Sequence, residues 1–365
     1  MGQVDTLQPV AQRARTARRP GVLRLVLTGV AVVWLALGAL GVVRYVHGYW
    51  MYRGFPAPTT PKGIPQGRLE DVRFWSPALR QRRRYLVYLP PAYASESAAG
   101  RRFPVLYLLH APPGRPDGFI QAGALAVDAN VMIARHRIRP MILVIPYGKS
   151  GSFGSDTEWA NARAGRYESF VMDVVRSVDR RFATVPNRQD RGIAGLSEGG
   201  YGALNVGLHH LGAFSALESW SGYYAQTATG PFAGLSARAI AANSPAVYLP
   251  SLAPAIRRLG LRVYLYQGVK DEIRPERIRR FSAELYRNGA YVRWGFFPGG
   301  HDWGLWRRQT PHMLRVASTW FSTRPTADRL SHAPRGHGRP EHPRSGHPNP
   351  RGGGHRAPPR HGRRP

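Results

Sequence analysis

The sequence of 365 residues contains no cysteine, which excludes a disulfide framework and thiol chemistry. It is also short of acids, with 21 Asp+Glu against 52 Lys+Arg, and short of lysine: Lys62, Lys149 and Lys270 are the only three. A net charge of +31 raises the question of nucleic acid, but no nucleic-acid-binding module is present. The charge is uneven. Residues 1–62 carry +7 and residues 323–365 carry +8, so the two ends hold almost half of the excess. Arginine dominance fits genomic composition as well as it fits attraction to anionic lipid headgroups or wall polymers. A phosphate-binding loop is missing too. Gly148-Lys149-Ser150 would need a glycine at 143, where Leu143 stands, so nucleotide binding is not expected.

What the chain does have begins with 19 uncharged residues, Leu25 to Val43, long enough to span a bilayer as a helix. Arg13, Arg15, Arg18, Arg19 and Arg24 precede it, and only Arg44 and Arg53 follow closely. The positive-inside rule then places the amino terminus in the cytoplasm and the remainder outside the cell membrane. Tyr45, Tyr49, Trp50 and Tyr52 follow like an interfacial aromatic belt. A cleaved signal peptide around Ala36-Leu37-Gly38-Ala39 is the rival reading, but the apolar run continues beyond those residues. The expected organisation is a basic cytoplasmic segment (1–20), a transmembrane helix (21–44) and a Pro/Gly linker (45–66). A folded domain (67–322) follows, then a disordered Arg/His/Pro/Gly-rich tail (323–365). His332, His337, His342 and His347 recur every five residues in that tail, a polycation that gains charge as pH falls through about 6.5 and could hold an anionic surface.

From residue 67 short strands alternate with helical segments. Leu69–Trp75 and Arg84–Leu89 read as antiparallel strands, and Phe103–His110 and Met141–Pro146 as buried ones. Helices are expected over Ile120–Ile138, Tyr167–Phe182, Tyr201–His210 and Ile278–Tyr286, and strands at Ala213–Trp220, Leu261–Tyr266 and Tyr291–Phe297. A terminal helix would start at Pro311 with Thr310 as its N-cap and run to Phe321. The alternation predicts an α/β fold with a mostly parallel sheet, interrupted by an insertion at 222–258 over its carboxyl edge.

Gly195-Leu196-Ser197-Glu198-Gly199 sits between a strand and a helix, the setting of a nucleophile elbow. A serine hydroxyl needs a base, and the base needs a carboxylate to fix its tautomer. His301 follows the strand 291–297, in Pro298-Gly299-Gly300-His301-Asp302-Trp303. Asp271 follows the strand 261–266, with Glu272 as its neighbouring rival. Asp302 is expected to pin the loop, and His209, His210 and His312 to be structural or solvent-facing. The loop 147–162 carries Asp156, Glu158, Trp159 and Asn161 along the same cleft, where acidic groups suit a cationic part of a substrate or simply tie the loop down. Trp220, Tyr223, Tyr224, Trp303 and Trp306 read as an aromatic wall or as packing.

Taken together, Leu106-Tyr107-Leu108-Leu109-His110, Ile193 to Leu204, Gly268-x-x-Asp271 and Pro298-Gly299-Gly300-His301-Asp302-Trp303-x-x-Trp306 make the chain resemble one branch of the α/β hydrolases. It is the branch of esterase D, the feruloyl esterases and the mycolyltransferases, and the resemblance covers about residues 100–320. It implies Ser197 as nucleophile, His301 as base, Asp271 as its acid and the Glu198 backbone N–H as an oxyanion donor, with no metal or organic cofactor. The family's second donor would fall at Pro112, which has no N–H, so Ala111, Gly114 or a side chain must take its place, or the oxyanion hole is incomplete. The expected activity is ester hydrolysis on a lipid or envelope ester. Acyl transfer to a hydroxyl acceptor and a non-catalytic envelope-binding role are the alternatives.

Overall fold

The computed structural model describes residues 21–112, 114–149 and 156–322. The basic segment 1–20 and the tail expected from residue 323 lie outside them. Among the described residues, eight strands form one sheet: β1 (Arg68–Ser76), β2 (Gln81–Leu89), β3 (Val105–Leu109), β4 (Ile142–Pro146) and, after a two-residue pair β5 (Asn161–Ala162) and β6 (Gly165–Arg166), β7 (Arg191–Leu196), β8 (Ala216–Trp220), β9 (Arg262–Gly268) and β10 (Tyr291–Phe297). The sheet order is β1-β2-β4-β3-β7-β8-β9-β10. β2 runs antiparallel to both β1 and β4, and the six strands from β4 to β10 are parallel.

The parallel strands are apolar on both faces because helices cover both. Along β3, Val105, Tyr107 and Leu109 enter the core under the helices Tyr167–Arg181 and Glu198–His209, whereas Leu106 and Leu108 enter the opposite core. That second core is closed by the helices Leu125–Ala134 and Trp303–Ser322 through Leu125, Met132, Leu305, Met313 and Leu314. The helix Tyr167–Arg181 buries Phe170, Val171, Val174 and Val178 at helical spacing.

Several helices differ from their expected bounds, and the helix expected at Ile278–Tyr286 runs from Pro275 to Arg287. The segment expected as Ile120–Ile138 is two helices, Pro116–Gln121 and Leu125–Ala134, because Ala124 takes a φ of 54° and Gly123 packs against Trp303. The terminal helix begins at Trp303, not at Pro311. Asp302 Oδ1 accepts the Leu305 N–H at 2.9 Å, and burial of Leu305 and Trp306 outweighs the proline inside the helix. Thr310, the expected cap, is interior and donates to the Trp306 and Gly123 carbonyls. The elbow helix starts at Glu198, directly after the serine.

The apolar helix spans Val22–Tyr52, longer than the run that signals it, and none of its residues is buried. Its mean hydropathy reaches 2.4, and by length and composition it can cross a membrane. The segment 222–258 contains short helices and no strand.

Candidate active site

The site forms where β7, β8, β9 and β10 end. Ser197 leaves β7 with φ 53° and ψ −120°, a conformation costly for a residue with a side chain. Backbone contacts hold it there. The Ser197 N–H donates to the Trp220 carbonyl at 2.8 Å, and the Ser197 carbonyl accepts the Gly200 N–H at 2.9 Å. Gly195 and Gly199 are obligatory. A Cβ at 195 would overlap the Gly199 carbonyl, and one at 199 would overlap the Leu109 carbonyl at the end of β3.

His301 Nε2 lies 2.8 Å from Ser197 Oγ, and His301 Nδ1 lies 3.1 and 3.2 Å from the two oxygens of Asp271. The Asp271 side chain is fully buried, that of His301 one quarter exposed. Burial pushes the Asp271 carboxyl up, but hydrogen bonds from His301, Ser221 and the Ile273 N–H outweigh it and hold it below its ordinary value. Glu272 is exposed and turned away from this contact. Asp302 binds the Gly300 and Leu305 N–H groups and so pins the histidine loop. Trp306 meets the His301 ring edge to face at 5.2 Å.

The first turn of the helix Glu198–His209 leaves the Glu198 and Gly199 N–H groups without an intrahelical partner. Opposite them, the loop after β3 corrects one expectation. The Gly114 N–H donates to the Ala111 carbonyl at 2.8 Å, closing a turn over the prolines. That N–H is therefore spent within the loop, whereas the Ala111 N–H has no partner among the described residues.

His110 is buried, accepts the Gly148 N–H at 3.1 Å, and is pushed down to about 4 by burial. Of the five residues expected as an aromatic wall, Trp220, Tyr224 and Trp306 belong to the packed core, whereas Tyr223 and Trp303 are partly exposed. His209 and His210 pair with Glu168, and His312 lies between the Tyr264 and Phe297 rings, as expected of structural histidines.

Two features escaped the sequence reading. Ser221 stands beside Asp271 and accepts from Trp306 Nε1 at 3.4 Å. Its position directly after β8, next to the elbow strand, was the available signal. The second is a set of partners for Glu158, which accepts hydrogen bonds from Tyr223 Oη and, at 2.8 Å, from Gln226 Nε2. These come from the segment after β8, more than 60 residues away, and no local pattern announces them.

The model of the "Putative esterase" family matches residues 76–317. An endo-1,4-beta-xylanase/feruloyl esterase of Xylanibacter ruminicola is 27% identical over 256 residues, 68% of this chain and 31% of that protein. An esterase of Mycobacterium tuberculosis is 28% identical over 172 residues, 46% of this chain and 35% of that protein. The chain thus spans about a third of the length of these curated relatives. A solved ferulic acid esterase superposes with a TM-score of 0.62 at 23% identity, over 70% of this chain and 99% of the other. The sheet is that of the α/β-hydrolase fold, and with two thirds of its length inside the family model the chain belongs to the "Putative esterase" family.

Proposed function

We propose that the chain is a membrane-anchored esterase that works through an acyl-enzyme on Ser197. The observation that carries this reading is the unbroken contact from Ser197 Oγ through His301 to Asp271. Ser197 Oγ attacks the ester carbonyl carbon as its proton passes to His301 Nε2. Asp271 holds the imidazolium through Nδ1. The carbonyl oxygen, now negative, sits against the Glu198 N–H, with the Ala111 N–H as second donor in place of the proline that follows it. Collapse of this intermediate breaks the bond to the alcohol, which leaves with the proton from Nε2. Water then adds to the acyl-enzyme, returns a proton through His301 and releases the acid. No step requires a metal or organic cofactor.

The helix Val22–Tyr52 supports anchoring, with the catalytic domain on the extracytoplasmic side and the substrate a lipid or envelope ester. Protease added to intact cells should then remove the domain and spare the membrane helix.

The catalytic reading is tested with a fluorophosphonate probe and a short-chain ester. Wild type should label and turn over, and Ser197→Ala should do neither. Absence of labelling in correctly folded wild type would instead favour the binding-protein reading, to which Pro112 lends its support.

A further inference from the structure

Behind the elbow lies a polar cluster that the hydrolytic steps do not use. Glu198 follows the nucleophile and is 5% exposed. Its Oε1 is 3.4 Å from Thr157 Oγ1, and its Oε2 has no hydrogen-bond donor among the described residues. Beside it stand the carboxyls of Asp156 and Glu158. Glu158 is 8% exposed, and its N–H donates to Asp156 Oδ1 at 2.9 Å. Among the described residues, neither Glu158 nor Glu198 forms an ion pair with arginine or lysine, in a protein that carries 52 such residues.

This arrangement is costly. Both Glu158 and Glu198 are pushed up by burial and by neighbouring carboxylates. Glu158 and Trp159 are also held at φ 50° and 49°, two consecutive strained residues with side chains. Tyr223, which donates to Glu158, stacks on Tyr201 in the elbow helix at 5.1 Å. Main chain links the cluster to the catalytic residues, since Glu198 adjoins Ser197. Ser221 touches Asp271, and Tyr223 is two residues further on, a span of at most ~7 Å. Asp156, Tyr223 and Gln226 are partly exposed, so the cluster opens to solvent.

We infer that Glu158 and Glu198, with Asp156, form a subsite for a primary ammonium group of the substrate, so that the preferred esters carry an amine near the scissile carbonyl. This rests on the catalytic reading above. A primary ammonium supplies three N–H donors and a positive charge, matching two carboxylates that have no arginine or lysine partner among the described residues and, at Glu198 Oε2, an oxygen without a donor. A quaternary ammonium has no N–H to give and leaves Glu198 Oε2 unsatisfied.

The test uses the full chain and three esters of similar size at pH 6.5: an alanyl ester, the matching propionyl ester, and an aminoethyl ester of propionate. Wild type should show a kcat/KM for one amine-bearing ester at least about tenfold above that for the propionyl ester. Glu158→Gln should bring that ratio towards one, and Glu198→Gln serves where Glu158→Gln fails to fold. The ester that is preferred tells whether the amine belongs to the acyl or the alcohol side. Equal kcat/KM for all three in wild type overturns the inference, as does a preference that survives both substitutions. Propionyl-ester turnover that Ser197→Ala abolishes separates failure of this subsite from failure of the catalytic reading.

Discussion

Ser197, Asp271 and His301 are held at different costs, and substitutions should read those costs separately. Asp271→Asn preserves shape but favours the wrong imidazole tautomer, and should lower kcat by roughly 10⁴. Glu272→Gln, at an exposed position, should leave kcat unchanged. Steady-state kinetics on one ester checks both. Gly199→Ala places a methyl against the Leu109 and His110 carbonyls, which cannot retreat without moving β3. It should destabilise the fold by about 1–3 kcal/mol or more, visible in urea titration. At this scale much was legible beforehand. The residues proposed as nucleophile, base and acid each follow a strand, in the chain order that a parallel sheet brings to one edge. Gly114 was not, because whether its N–H faces the cleft or closes the turn on Ala111 is decided by backbone geometry that two prolines conceal.

Among the elements, the helix Trp303–Ser322 has the most direct hold on the chemistry. Its cap, Asp302, is the residue after His301, so one carboxylate both starts the helix and fixes the base. Asp302→Ala should cost about 0.5–2 kcal/mol by thermal or urea unfolding. It should also lower kcat, since the His301 loop loses its tie to Gly300. Thr310-Pro311 has the local form of a helix start, yet here the pair lies two turns inside the helix. Local signals lost to packing: Leu305 and Trp306 are buried, and Arg307 donates to the Ala122 carbonyl at 2.9 Å. The break at Ala122–Ala124 has the same kind of origin, a glycine against the Trp303 ring. By contrast β10 spans Tyr291–Phe297, the bounds its residues announce, because an edge strand answers mainly to its own pattern.

For the molecule as a whole, the linker after the apolar helix is part of the packing. Phe55 lies under Arg307 at 4.9 Å, and Phe55, Pro58, Asp128, Arg307 and Pro311 line a cavity of about 540 Å³. Burial there pushes the Asp128 carboxyl up to about 7, with Arg307 opposing. The folded chain therefore keeps this proton at pH values where the unfolded chain has released it. Stability from this group is greatest below about pH 4 and is lost as pH rises through about 7. Asp128→Asn should flatten the change in unfolding free energy between pH 5 and pH 8, measured by urea titration. The elbow has a consequence at this scale too. Ser197 is positioned by its main-chain hydrogen bond to Trp220 and by the packing of Gly195 and Gly199 against the Leu109 carbonyl, so β3, β7 and β8 must separate before Ser197 can drift. Heat should then extinguish turnover and native circular dichroism at a single temperature, with no interval in which a folded but catalytically silent protein accumulates.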